Sequence, residues 1–121
     1  MKVSRPFRAA IIGCGHFARQ SHGKCLASLD CVELVGFCDQ RIENAVAFNQ
    51  QFAGGNAQVY ESAEEMFARL DLDIVYICVP PFGHTNEVEL ACRNGVHLLI
   101  EKPIALTLDL ASQMVEQVRQ S

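Results

Sequence analysis

Gly13, Gly15 and Ala18 stand at the spacing G-x-G-x-x-A, directly after the apolar run Ala9 to Ile12 in "AAIIGCGHFARQ". Asp39 closes the apolar segment "VELVGFCD", and Glu101-Lys102-Pro103 closes "VHLLIEKP". In this pattern the first glycine turns the chain tightly and the second lets a pyrophosphate approach the backbone. A small third residue lets helix and strand pack closely. A helix opening there presents unpaired N–H groups and its positive dipole end to phosphate. Asp39 lies 39 − 18 = 21 positions beyond Ala18, near the interval of about 20 at which an acid accepts from ribose hydroxyls. The chemistry implied is dinucleotide binding.

Rival glycine-rich patterns fit less well. A methyl-transfer domain usually shows G-x-G-x-G, and Phe17 occupies the place of that third glycine. No G-x-x-x-x-G-K-[ST] occurs, which excludes a P-loop.

The elements that must hold these residues alternate along the chain. Strands are expected at 8–13, 32–39, 57–60, 72–81 and 96–103, from short apolar runs rich in β-branched and aromatic residues. Helices are expected from His16 to about Leu29, from Ile42 to Phe52, after Ser62, over "EVELACRNG" with Gly95 as its stop, and after Thr107. Ser62 and Glu65 have the spacing of a reciprocal capping box. In the last helix Leu110, Ala111, Met114, Val115 and Val118 form one apolar face. Strands apolar on both faces belong in a parallel sheet covered by helices. The fold class is therefore α/β, a doubly wound parallel sheet of the Rossmann dinucleotide-binding type.

In such a sheet, ligands lie outside the carboxyl ends of the strands where strand order reverses. The fourth strand ends in "CVPPFGHTN" and the fifth in "IEKPI", so both open into that crevice. Pro80 and Pro81 cannot continue a sheet interior and turn the chain there, beneath the nicotinamide end. His84 either lines this pocket or packs the next helix start. His97, at the start of a strand, falls on the opposite rim. His16 lies in the glycine turn near the pyrophosphate, without a chemical role. Lys102 taken alone reads as a surface charge, and proline after it favours an extended backbone.

The bulk composition narrows the class. The chain has 121 residues, half of them hydrophobic, and a formal net charge of −4, which suits one globular domain rather than a disordered segment. No basic stripe exists to neutralise nucleic-acid phosphates, and no apolar run approaches the 18–20 residues of a membrane span. The N-terminus lacks the apolar core of a signal peptide, so a cytoplasmic location is expected. The six cysteines include no C-x-x-C and sit largely in apolar runs, as free thiols do. Cys14-x-His16 with His22 is the one cluster with metal-ligand residue types, and no metal site is assigned to it.

"GCGHFA", "VPPFGHTNEVELACRNGVHLLIEKPIALT" and the position of Asp39 together resemble the N-terminal half of the glucose-fructose oxidoreductase / inositol dehydrogenase / MocA-like family, over almost the whole chain. The most specific element is E-K-P at this distance from Pro80 or Pro81 and His84. The resemblance implies that Lys102 sits at the catalytic centre and assists proton transfer while hydride moves between NAD(P) and a sugar, polyol or related substrate. Glu101 would position Lys102 or contact the cofactor. It also implies a C-terminal substrate domain beyond residue 121, with a sixth strand after the last helix. The polypeptide would then hold the dinucleotide but lack half an active site, and its exposed fifth strand would invite association, a second copy included. A stand-alone nucleotide-binding or redox-sensing module is the competing reading. Asp39 favours NAD, whereas Arg41 could stack on adenine or pair with the 2′-phosphate of NADP.

Overall fold

The computed structural model describes residues 4–121. Five strands, β1 (Phe7–Ile12), β2 (Val32–Cys38), β3 (Gln58–Tyr60), β4 (Ile74–Ile77) and β5 (His97–Ile100), form one sheet in the order β3-β2-β1-β4-β5. Every pairing is parallel. The order reverses between β1 and β4, which opens a crevice at their carboxyl ends.

The central strand shows why the sequence demands cover on both faces. Along β1, Ala9 and Ile11 join one buried cluster with Phe37, Ala45 and Phe48, while Ala10 and Ile12 join another with Met66, Val75 and Ile77. Alternate side chains point to opposite faces, so a stretch apolar at every position, as Ala9 to Ile12 is, must be covered twice. Full burial of each Ile, Val or Phe is worth about 1.5–3 kcal/mol.

The helices are α1, α2 (Ile42–Ala53), α3 (Ala63–Arg69), α4 (Glu87–Arg93) and α5 (Leu108–Gln120). Helix α1 has three parts: α-helical His16–Ala18, π-helical Arg19–Gly23 and α-helical Lys24–Ala27. Helix α4 ends as expected, with Val96 N–H donating to Ala91 and Gly95 N–H to Cys92, which satisfies carbonyls left free at the terminus. Thr107 caps α5 by accepting from Leu110 N–H at 3.2 Å.

Four expectations change, the first being that the fifth strand is the four residues of β5 rather than the eight of 96–103. Ser62 caps α3 by accepting from Glu65 N–H at 3.3 Å, but the reciprocal arm is not made, because Glu65 turns to Arg69 one helical turn on. The fourth strand is four residues rather than ten, since β4 pairs only where β1 and β5 lie beside it, and Cys78 to Pro81 become crevice wall. The apolar face of α5 is only partly covered: Ala111 and Met114 are half-buried, while Leu110, Val115 and Val118 remain exposed.

Candidate functional site

The glycine turn leaves β1 at the reversal point. Gly13 has φ +91°, and a Cβ there would meet the Cys78 carbonyl carbon and the Val79 nitrogen at 2.7 Å. Only glycine fits both the dihedral and the approach to the backbone after β4. Gly15 differs: its backbone is extended (φ −96°), and a Cβ would meet nothing within 4 Å. It is the N-cap of α1 without a side-chain capping bond, and no acid lies in the first turn. The first N–H groups of α1 therefore face open space. Ala18 is buried against the turn, and its small size permits that contact.

Asp39 is tied into the turn. Its Oδ2 accepts from Cys14 N–H at 2.8 Å and its Oδ1 from Arg41 N–H at 2.8 Å, so the carboxylate is held at the lip of β2. Arg41 reaches the site through that N–H, and its guanidinium lines neither of the clefts described next.

Two clefts meet at the turn. One, of about 270 Å³, is lined by Gly13, Asp39, Gln40, Glu61 and Phe82 among others. The second, of about 320 Å³, is lined by His16, Phe17, Pro81, Glu101 and Lys102 among others. Gly15, Cys78, Val79 and Pro80 line both. Pro80 and Pro81 turn the chain as expected, Pro81 opening a short 3₁₀ turn, Pro81–Gly83.

Glu101 N–H donates to Ile77 as the sheet ends, and its Oε2 accepts from Lys102 N–H at 3.1 Å. Its Oε1 lies 2.6 Å from His22 Nε2, and this hydrogen bond holds the carboxyl below its usual pKa. Among the described residues the exposed Lys102 ammonium has no ion-pair partner, and the Lys102–Pro103 peptide is cis.

His84 lines neither cleft. It packs at the start of α4, with Nδ1 3.5 Å from Glu87 Oε2, and neither ring nitrogen makes a hydrogen bond. The buried Glu87 carboxylate accepts from Thr85 N–H at 3.0 Å. His97 stands at the opposite end of the sheet, its N–H on Asp73. Cys14, Cys38 and Cys78 lie at or just beyond the ends of β1, β2 and β4, and all six cysteines are free. Burial pushes the Cys38 and Cys78 thiols up to about 12, and Cys14 higher still.

Sequence reasoning did not find Gln40, Glu61 and Phe82 in the cleft wall, nor His22 beside Glu101. Their positions depend on loops and on a contact across 79 residues of chain, which no local pattern announces.

A parallel sheet of order 3-2-1-4-5, a glycine turn into an uncapped helix and an acid at the lip of the second strand define a dinucleotide-binding domain of the Rossmann class. Residues 7–121 match the model of an oxidoreductase family with an NAD-binding Rossmann fold, and the chain belongs to that family. It is 33% identical over 117 residues to D-glucoside 3-dehydrogenase of Escherichia coli (97% of this chain, 33% of that protein). With D-apiose dehydrogenase of Paraburkholderia graminis it shares 38% over 109 residues (90% and 28%). Its fold superposes on a 3-ketoreductase from Actinomadura kijaniata, solved with TDP-benzene and NADP, with TM-score 0.82, 26% identity and coverage of 96% and 35%. The chain thus spans about a third of the length of the curated relatives it matches. Among the described residues no helix is long and apolar enough to cross a membrane.

Proposed function

We propose that this chain is the nucleotide-binding half of an NAD-dependent oxidoreductase acting on a sugar, polyol or related hydroxyl or carbonyl compound. The observation that carries the reading is the open space over Gly15, flanked by two clefts that share its wall. A pyrophosphate would cross there against the first N–H groups of α1. The adenosine would lie toward Asp39, and the nicotinamide, which supplies the hydride-accepting ring, toward Pro81, Glu101 and Lys102.

Each residue then has a task. Asp39, fixed by two backbone N–H groups, accepts from the ribose hydroxyls and repels a 2′-phosphate. Glu61 in the same cleft adds to that repulsion, which favours NAD over NADP. Lys102, without an ion pair among the described residues, lines the second cleft, where its amine, once the ammonium has given up a proton to solvent, would take the proton of a substrate hydroxyl. The substrate domain, with its partner for Lys102, belongs to polypeptide outside residues 1–121. The free cysteines suit a reducing cytoplasm.

Calorimetric titration of the chain with NAD and with NADP tests the proposal. Saturable binding with NAD the tighter is expected, and a folded sample that binds neither refutes it.

A further inference from the structure

His22 is a half-buried titratable group that this reading leaves unused, and its surroundings show how it comes to touch Glu101. The π-helical stretch Arg19–Gly23 of α1 sets residues five apart in register, so Phe17 and His22 meet edge-to-face with ring centroids 5.9 Å apart. The other side of the imidazole meets Tyr76 of β4 at 5.0 Å. The next residue, Gly23, backs onto α2, where any Cβ would strike the Phe52 ring at 2.5 Å. One turn therefore locks α1 against α2 and aims His22 along the crevice wall. A carboxylate can only accept, so Nε2 carries the proton of the 2.6 Å bond to Glu101. Both side chains are about four-fifths buried, where such a charge-assisted bond is strong.

Resting on the dinucleotide reading above, we propose that His22 is a positioning residue for the nicotinamide end of the site. It grips Glu101 Oε1, the other carboxylate oxygen grips Lys102 N–H, and the pair fixes the direction in which the chain leaves β5. The wall of the second cleft, with Lys102 on it, is thereby set from α1, across 79 residues of chain. The adenosine cleft takes no residue from this relay.

That asymmetry is measurable. The chain and its His22→Ala, His22→Asn and His22→Gln variants are titrated with NAD and with ADP-ribose, which lacks the nicotinamide, and their melting temperatures are recorded. Wild type should bind NAD more tightly than ADP-ribose. His22→Ala should lose about tenfold for NAD while ADP-ribose stays within about twofold, because loosened support acts only on the end it supports. Gln, whose amide nitrogen reaches as far as Nε2, should restore NAD affinity to within about threefold of wild type, whereas Asn, one bond shorter, should not. Should His22→Ala fail to fold, the contrast of Gln with Asn decides by the same ratio. Equal losses for both ligands, no loss for either, or a wild type that binds both alike would overturn the assignment. A wild type that binds neither would sink the dinucleotide reading itself.

Discussion

Two alanine substitutions, two residues apart, test the proposed division between a structural glycine, Gly13, and a ligand-facing one, Gly15. At Gly13 a methyl group must occupy a position 2.7 Å from two backbone atoms and 2.9 Å from a third, the Cys78 carbonyl oxygen. None of these is the end of a flexible side chain, so β1 and the strand end opposite it must part by several tenths of an ångström. Overpacking of this kind costs about 1–3 kcal/mol, and forcing alanine to φ +91° adds about 1–2 kcal/mol. The expected loss is therefore about 2–5 kcal/mol, a large part of the stability of a domain this size, and a fall in Tm of about 8–20 °C. At Gly15 the same methyl enters open space from an ordinary extended backbone. Stability should change by no more than about 0.5–1 kcal/mol, with a gain as plausible as a loss because alanine restricts the unfolded chain. Affinity for NAD should fall at least about tenfold, since the methyl stands where the pyrophosphate must approach. Thermal melts followed by circular dichroism, with calorimetric titration of both variants, read the two quantities separately. A Gly15→Ala chain that melts as low as Gly13→Ala, or that binds NAD like wild type, would refute the reasoning.

Asp39→Asn should narrow the gap between NAD and NADP and cost about 1–2 kcal/mol of stability, because an amide cannot accept from both Cys14 and Arg41 N–H groups; paired titrations and urea melts check both. Glu87→Ala should cost about 1–3 kcal/mol, measured by urea denaturation, because Thr85 N–H loses its acceptor inside the start of α4. Asp73 is held down to about 2 by hydrogen bonds from the Arg5 guanidinium and Arg8 N–H, so its stabilisation is complete above the ordinary carboxylate range near 4 and disappears as pH falls from there toward 2. With Arg5 more than half exposed, the contribution is about 1 kcal/mol, and the wild-type Tm should fall about 4 °C further than that of Asp73→Asn between pH 5 and pH 2.

What the sequence reveals and what it hides follow from the range of the interactions. The turn at Gly13 and Gly15, the acid at Asp39 and the proline turn at Pro80 are set by neighbours in the chain, so residue type and spacing expose them. The length of β4 is not local, since Ile74 to Pro81 is apolar throughout and only its neighbours in the sheet decide where pairing stops. Asp39 carries a task invisible in one dimension, because its grip on Cys14 N–H crosses from one strand end to another. His22 is hidden for a further reason. A helix read at 3.6 residues per turn places it on a different face from the one the π-helical register gives.

The sulfur-lined floor of the crevice is a chemically quiet one. Thiols whose ionisation is pushed to about 12 stay protonated near neutral pH, and a protonated, buried thiol is a poor nucleophile toward maleimides or peroxides. Cys25 and Cys31 are exposed, and Cys31 lies beside the opposite rim, where its carbonyl accepts from Phe7 N–H. With Cys25 replaced by serine, Cys31 thus offers a handle for a fluorophore at the far end of the sheet from the proposed nucleotide site. A probe placed there should ride on the folded domain and leave the ligand path clear.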